Sequence, residues 1–513
     1  MDRSQLAARI QDILKGRPRP AAPPLVDAPL EAGPHAGSDE GVVAGVLQRS
    51  PVADEEAAFA ARCSADEASA RVLDVLGATL EQGAGGSCIV VDRDYEGHRG
   101  HGRRPVSGYA AVMNHPSAGL GLLLDPRPRS GLFFDLETTG LSGGAGTYAF
   151  LVGFGYFDGD GFHTRQFFLR GFGEERALLH AVTAFVRGFE TPEPLPTASC
   201  PLAVAGVLPP ADCQPALVTY NGKAFDLPLI ETRYQMQRLG SPFGELPHLD
   251  LLFPARRLWR RRLVRDGSNR RALLSGGFVS PDDDRASCAL TVLEEDILGL
   301  VREDDVPGWE IPGRYFGYAR TGDARGLEAV LEHNRLDLVS LGALTAVVLE
   351  MVAGLVPARD RYEVLALARL LEYLGRASDA ERCYVRAAEP DGLFEAALDG
   401  CARAEALRWL AVHRRRSRRF GEAAETWQRL LDIKGLSAEM RREGLEALAI
   451  HAEHRAKDLS AARRFALGAL DLSRGSRYAP EVEHRLGRLT RKIGHVPPGT
   501  SAAPVQPTFP VED

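Results

Sequence analysis

The sequence predicts an α/β domain with a mixed sheet flanked by helices, followed by an all-α helical-repeat domain. Two features predict the first part: apolar runs of strand length recur between Gly131 and Asn221, and an amphipathic helix pattern, Glu174–Phe189, interrupts them. The second part shows as a shift after about residue 360 to Ala, Leu, Arg and Glu with almost no strand signal. At 513 residues the chain exceeds what one core supports, so two or three domains are expected.

The elements follow in order. Leu6, Ile10 and Leu14 stand at helical spacing, which reads as a short amphipathic helix or a frayed end. Residues 17–50 are rich in Pro, Gly and Ala with few large apolar residues, so 1–55 is expected to be a disordered N-terminal segment. Residues 55–80 read as helix. The strand-like runs Ser87–Val91 and Gly119–Leu124 make 56–130 an accessory segment. From Gly131, GLFFDLETTGL, TYAFLVGFGYF and FHTRQFFL read as three strands. Asp158-Gly159-Asp160-Gly161 joins the last two as a hairpin turn rather than a calcium loop, since Asp-Gly between strands is a strong hairpin signal. The helix and the strand ALVTYN follow. A Pro-rich insertion at 190–215 interrupts a domain spanning 131–350, and the Pro-rich tail 496–513 reads as disordered.

Composition narrows the function. A net charge of −7 excludes a polycation, so any nucleic-acid contact must come from local basic patches. Seven scattered cysteines with no CxxC pair argue against a disulfide framework or a thiolate zinc site and suit a reducing cytosol. The start, MDRSQLAARIQDILKGRPRP, lacks an apolar signal region, and no run of 18 apolar residues occurs, so a cytoplasmic location without membrane contact is expected.

The chemistry lies in acids. In Phe133-Phe134-Asp135-Leu136-Glu137-Thr138-Thr139-Gly140, Asp135 and Glu137 are i and i+2 on a strand and project from one face. Two like charges at a buried strand end are costly without a compensating positive charge, and a divalent ion such as Mg2+ or Mn2+ suits hard oxygen ligands. Asp226 closes Asn221-Gly222-Lys223-Ala224-Phe225-Asp226 at a strand-to-helix junction, where it reads either as a helix cap or as a site acid. His333 and Asp337 are i and i+4 on a later helix and share a face, either as a surface pair or as a general base beside a ligand acid.

DxETTG at a strand end, NxxxFD at a strand–helix junction and HxxxD on a late helix, in that order, resemble the DEDD superfamily of 3′–5′ exonucleases. Within it the chain looks most like the bacterial YprB-type ribonuclease-H-like family, whose members can carry tetratricopeptide repeats after the nuclease domain. The resemblance covers about residues 131–350. It implies a ribonuclease-H-like mixed sheet and a site in which Asp135, Glu137, Asp226 and Asp337 hold two cations. It further implies His333 as the base, hydrolysis from the 3′ end, and nucleic acid, most simply single-stranded 3′ ends, as partner. His333 stands four residues before Asp337. The histidine-type members place theirs five before and the tyrosine-type members place Tyr four before, so the base stays open. A metal-dependent endonuclease and an inactive nucleic-acid-binding scaffold are the alternatives.

Other segments carry weaker signals. Ser142-Gly143-Gly144-Ala145-Gly146 lacks the lysine of a nucleotide loop and reads as a flexible connection. Asp250, in His248-Leu249-Asp250, reads as a structural strand-end acid or one that orders the site. Arg256, Arg257, Arg260, Arg261, Arg262 and Arg265, with Arg270 and Arg271 beyond, are assigned to the phosphate backbone together with Asn221. Arg414, Arg415, Arg416, Arg418 and Arg419 either extend that track or line a solvated helix turn. In the helical run Leu290–Leu300, Glu294 and Glu295 read as solvent-facing. Leu365–Ala388, Glu405–Leu431 and Leu445–Leu472 read as helical hairpins with a small-then-aromatic second helix. They resemble tetratricopeptide repeats, which implies a protein partner for residues 360–495.

Overall fold

The structure, a computed structural model, describes residues 70–115, 118–125, 128, 130–140, 144, 146–190, 214–266, 288–358, 360–389 and 399–494, with backbone only at 190, 261–266 and 399–400. The N-terminal segment 1–55, the core of the Pro-rich insertion and the C-terminal tail lie outside the described residues.

Residues 70–76 are helical. Strands β1 (Thr79–Gly83) and β2 (Gly86–Tyr95) form a hairpin, β3 (Gly100–His101) pairs with β4 (Arg104–Pro105), and helix α1 (Val106–Met113) follows. Then come β5 (Gly131–Thr138), β6 (Ala149–Asp158), β7 (Gly161–Phe168), α2 (Glu175–Glu190), β8 (Ala216–Thr219), α3 (Asp226–Met236), β9 (His248–Asp250) and α4 (Leu252–Asp266). Helix α5 (Leu290–Leu293) runs into a π turn (Glu294–Leu298) and is followed by α6 (Ile311–Thr321) and α7 (Glu328–Ala353).

One mixed sheet has the order β1-β2-β7-β6-β5-β8-β9, antiparallel up to β5 and parallel from β5 through β8 to β9. The three expected strands and their hairpin are present. Asp158 pairs with Gly161 across a two-residue turn in which Gly159 takes φ +58°, a left-handed conformation that glycine adopts without strain. The accessory segment is more than a lead-in, because β2 pairs with β7 from Ile89/Phe168 to Tyr95/Phe162 and so extends the same sheet. Gly119–Leu124 is not a strand. It forms a 3-10 turn at Leu120–Leu122, from which Leu120 and Leu123 reach the core.

Alternation along β5 sets the two faces. Leu132, Phe134 and Leu136 pack into a core with Val182 of α2, Ile230 and Tyr234 of α3 and Tyr315 of α6. Phe133 packs on the opposite face with Leu338 of α7. Asp135 and Glu137 share the parity of Phe133, so they emerge beneath α7. Helix α7 is long and apolar enough to cross a membrane, but 78% of that stretch is buried inside the protein, which makes it the central core helix.

Beyond α7, α8 (Arg361–Tyr373), α9 (Ala377–Ala388), α10 (Asp399–Arg416), α11 (Phe420–Leu431), α12 (Ala438–His451), α13 (Leu459–Ser473) and α14 (Ala479–Gly494) each pack on the next in sequence. Asp360, Ser437 and Asp458 cap three of their N-termini by accepting a backbone N–H three residues on. The small-then-aromatic positions face inward: Ala380, Tyr384, Ala387, Ala423, Trp427, Leu430, Ala462 and Ala469 are buried, and Phe465 packs beside them.

Helix α7 comes close to the sheet at Gly153 of β6, the register partner of Asp135. A Cβ there would collide with Oδ1 of Asn334 on α7. Gly153→Ala should therefore lift α7 from the sheet and cost about 1–3 kcal/mol. A lowered denaturant midpoint is the expected readout; an unchanged midpoint would show that α7 does not press on this strand.

Candidate active site

Strand β5 delivers the first two acids and α7 the last, while the loop after β8 delivers Asp226. In that loop Asn221 takes φ +65°, which asparagine tolerates better than most residues. Asp250 at the end of β9 holds the loop. Its Oδ1 accepts from the N–H of Asn221 at 2.8 Å and of Leu252 at 3.1 Å, and its Oδ2 accepts from the N–H of Lys223 at 3.2 Å. Asp226 is the first residue of α3, with Phe225 at the cap position and no side-chain cap bond, so it is not the helix cap. A buried pair fixes α3 itself: Arg233 donates to Glu175 of α2 at 2.5 and 2.8 Å.

The four acids converge. Asp135, Glu137, Asp226 and Asp337 are each half-buried. The Asp135 carboxyl is pushed well above its ordinary range by burial and by the charges of Asp337, Glu137 and Asp226. Burial raises Glu137 to about 8, with Asp337 and Asp226 adding to the rise and His333 opposing it. Burial raises Asp226 to about 7, helped by Asp250 and Asp337. Groups that repel one another's ionisation this strongly share one site.

Four residues that the motifs do not announce organise it. Asn334, fully buried on α7, donates to Asp135 Oδ2 at 2.7 Å and accepts from Gln166 at 2.8 Å. Asp305 meets His333 Nδ1 at 2.7 Å, and His333 Nε2 then stands 3.6 Å from Asp337 Oδ2, as i and i+4 on one helix face allow. Burial lowers the His333 pKa, but the Asp305 hydrogen bond and the charges of Asp337 and Glu137 outweigh it and leave the ring above its usual range. Arg302, 5% exposed, donates to Asp337 Oδ1, to Asp305 at 3.1 Å and to both oxygens of Glu294 at 2.6 and 2.8 Å. Glu294 is 1% exposed and so not solvent-facing, because Arg302 needs a buried counter-charge; Glu295 is exposed. Asn334 lies within the HxxxD segment, so its place on α7 is a sequence signal; Arg302, Glu294 and Asp305 carry none.

The donor set suits hard divalent cations in atom type and charge. Among the described residues, no three His, Cys, Asp or Glu groups are drawn close enough to share an ion as they stand. One oxygen of Asp337 and one of Asp135 are taken by Arg302 and Asn334, so ion uptake requires side-chain adjustment.

The basic residues divide. Arg256 lies close enough to Tyr220, at the end of β8, to act on its hydroxyl, and Arg257 stacks on Tyr373 of α8 with 3.9 Å to the ring centroid. Arg260 is half-buried on α4, while the side chains of Arg261, Arg262 and Arg265, and all of Arg270 and Arg271, lie outside the described residues. In the second cluster, Arg414 pairs with Glu381 at 3.1 Å, Arg416 with Glu372 at 3.1 Å and Arg419 with Glu381 at 2.5 Å. Those three arginines serve the helical region's own ion pairs.

Residues 132–349 match the family model of the RNase_H superfamily, the span that contains all four acids. This domain is ribonuclease-H-like. Similarity extends further, since the chain is 28% identical over 413 residues to an uncharacterized protein, YprB, of Bacillus subtilis (strain 168), covering 79% of this chain and 86% of that protein. The ribonuclease-H-like domain points to nuclease chemistry in general terms. The relative, being uncharacterized, adds no activity of its own.

A carboxyl whose folded pKa exceeds its unfolded value stabilises the fold fully below the unfolded pKa and loses that contribution as pH rises through the folded one. For Glu137 this window runs from about 4.5 to about 8. In chelator, Glu137→Gln should match wild type in Tm near the bottom of the window and exceed it by several degrees at the top. Parallel Tm curves across the window would show that the acids do not repel one another.

Proposed function

We propose that this chain hydrolyses phosphodiester bonds of nucleic acid, releasing nucleotides from the 3′ end of single strands with two Mg2+ or Mn2+ ions. The observation that carries this reading is the convergence of Asp135, Glu137, Asp226 and Asp337, from three separate segments, on one site whose acids oppose each other's ionisation. Without added cations such a site repels phosphate. Asp135, Glu137, Asp226 and Asp337 would hold the ions, which supply Lewis acidity toward a water and the scissile phosphate. His333 takes the proton of the attacking water at Nε2, since Asp305 engages Nδ1 and fixes the ring. Asn334 holds one oxygen of Asp135 and so orients the other.

The surroundings suit an unpaired strand. Phe225, next to Asp226, is 55% exposed, and Phe253, at the start of α4 beyond Asp250, is 44% exposed. Exposed aromatic faces such as that of Phe225, the chain neighbour of Asp226, stack bases without regard to sequence. Arg256 and Arg260 on α4 offer phosphate contacts. The helical region, read as tetratricopeptide-like, would recruit a protein partner.

One observation favours a second reading, a nucleic-acid-binding scaffold without turnover: no three of the described acids and histidines are drawn together for an ion. A degradation assay separates the two. With Mg2+ or Mn2+, end-labelled single strands should shorten from the 3′ end while circular strands survive. Asp135→Ala should reduce the rate to background, and Asp305→Asn, which loosens the base, should slow it about 10²–10⁴-fold at neutral pH. Intact DNA and RNA in both metals would favour the scaffold, and cut circles would make the enzyme an endonuclease.

A further inference from the structure

Arg302 lies in the loop between the π turn and α6, remote in sequence from every motif acid, yet its guanidinium is 5% exposed at the edge of the site. It bonds both oxygens of Glu294 and one oxygen each of Asp305 and Asp337, and Nη1 lies 3.4 Å from His333 Nδ1. Glu294 anchors it from behind and is itself hydrogen-bonded to Ser340 on α7, whose hydroxyl lies 2.8 Å from Nε2 of buried His101 on β3. The guanidinium is therefore clamped by a network that reaches into the core, and a planar fork held on two sides does not swing away as a surface arginine would.

We infer, on the two-cation reading of this site, that Arg302 is a resident cation that competes with a divalent ion for Asp337. Asp337 is the acid it touches directly, whereas Asp135 is met by a neutral amide. A divalent ion taking Asp337 must share that carboxylate with a guanidinium whose own counter-ion, Glu294, stands on its far side. The ion that depends on Asp337 is thus held more weakly than the acid count implies, and Arg302 is a positioning residue that sets this affinity. It also keeps Asp337 and Asp305 apart and compensated when no ion is bound, which spares the empty site part of its repulsion.

The test is Mn2+ binding by calorimetry and electron paramagnetic resonance, with no substrate or turnover. Arg302→Gln combined with Glu294→Gln removes the guanidinium and its counter-charge together. It should tighten Mn2+ binding about tenfold, and adding Asp337→Asn should cancel that gain while costing wild type less. Arg302→Lys, whose ammonium has no planar fork and so gives up the Nε bond to Glu294 and the Nη1 bond to Asp305 that clamp the group in place, should tighten binding several-fold, and it decides the matter if the double variant fails to fold. Unchanged or weaker Mn2+ binding in the folded variants overturns the role of Arg302 and leaves the nuclease reading intact. Wild-type protein that takes up no Mn2+ overturns both.

Discussion

Asn334 reaches from α7 to Asp135 on β5, and it can do so because Gly153, the residue paired with Asp135 on the neighbouring strand, has no side chain. That close approach brings His333 and Asp337, on the same helix, to the strand end that carries Asp135 and Glu137. The parallel arrangement of β5, β8 and β9 brings the rest. Asp226 follows β8, and Asp250, at the end of β9, ties down the loop between them. The site lies where strand ends of a mixed sheet meet a helix laid across one face.

Charge compensation shows what each buried acid is for. Glu175 and Arg233 form a closed pair, two carboxylate oxygens against two guanidinium nitrogens, and this holds α3 to α2. Glu453 in the helical region is likewise met by Arg488 and Lys492, which hold its carboxyl down to about 2. The acids under α7 are different. Glu137 and Asp226 are raised rather than lowered, because desolvation and like charge exceed what His333 returns to Glu137 and a backbone hydrogen bond returns to Asp226. A fold that balances its acids elsewhere leaves these short of positive charge. That imbalance costs stability, and on the two-cation reading bound ions would relieve it.

Much of this was legible in the sequence, for a definable reason. Strand β5 announces itself because alternation has period two, which also tells which side its acids face. The Asp-Gly turn fixes the register of β6 on β7, and HxxxD places two groups on one helix face. These signals are local. The compensating residues are not: Arg302, Glu294 and Asp305 sit in a loop and a π turn with no periodicity, and their role exists only where α7 lies against them. Glu294 reads as solvent-facing because acids in an amphipathic run usually are. Burial became affordable only through Arg302, eight residues later and on a different segment. The Arg414–Arg419 run reads as a charge patch because its acids, Glu372, Glu381 and Glu422, come from neighbouring helices.

The change in composition after about residue 360 marks a change of architecture but not a break in packing. One apolar cluster runs from Phe133 and Val218 in the sheet, through Leu344, Leu349 and Met351 of α7, to Val364 of α8, Tyr384 of α9 and Leu407 of α10. Arg376 before α9 donates to the carbonyl of Val352 at 3.0 Å, and Arg257 of α4 stacks on Tyr373 of α8. Helix α7, with 26 residues and so about 39 Å long, carries Asn334 and Asp337 near its start and the first surface of the helical region near its end. The fourth acid and the seat of α8 are parts of one unbroken helix. The helical region therefore belongs to the scaffold that holds the site rather than hanging from it on a linker, and truncation before α8 would strip apolar cover from the same helix that positions Asp337.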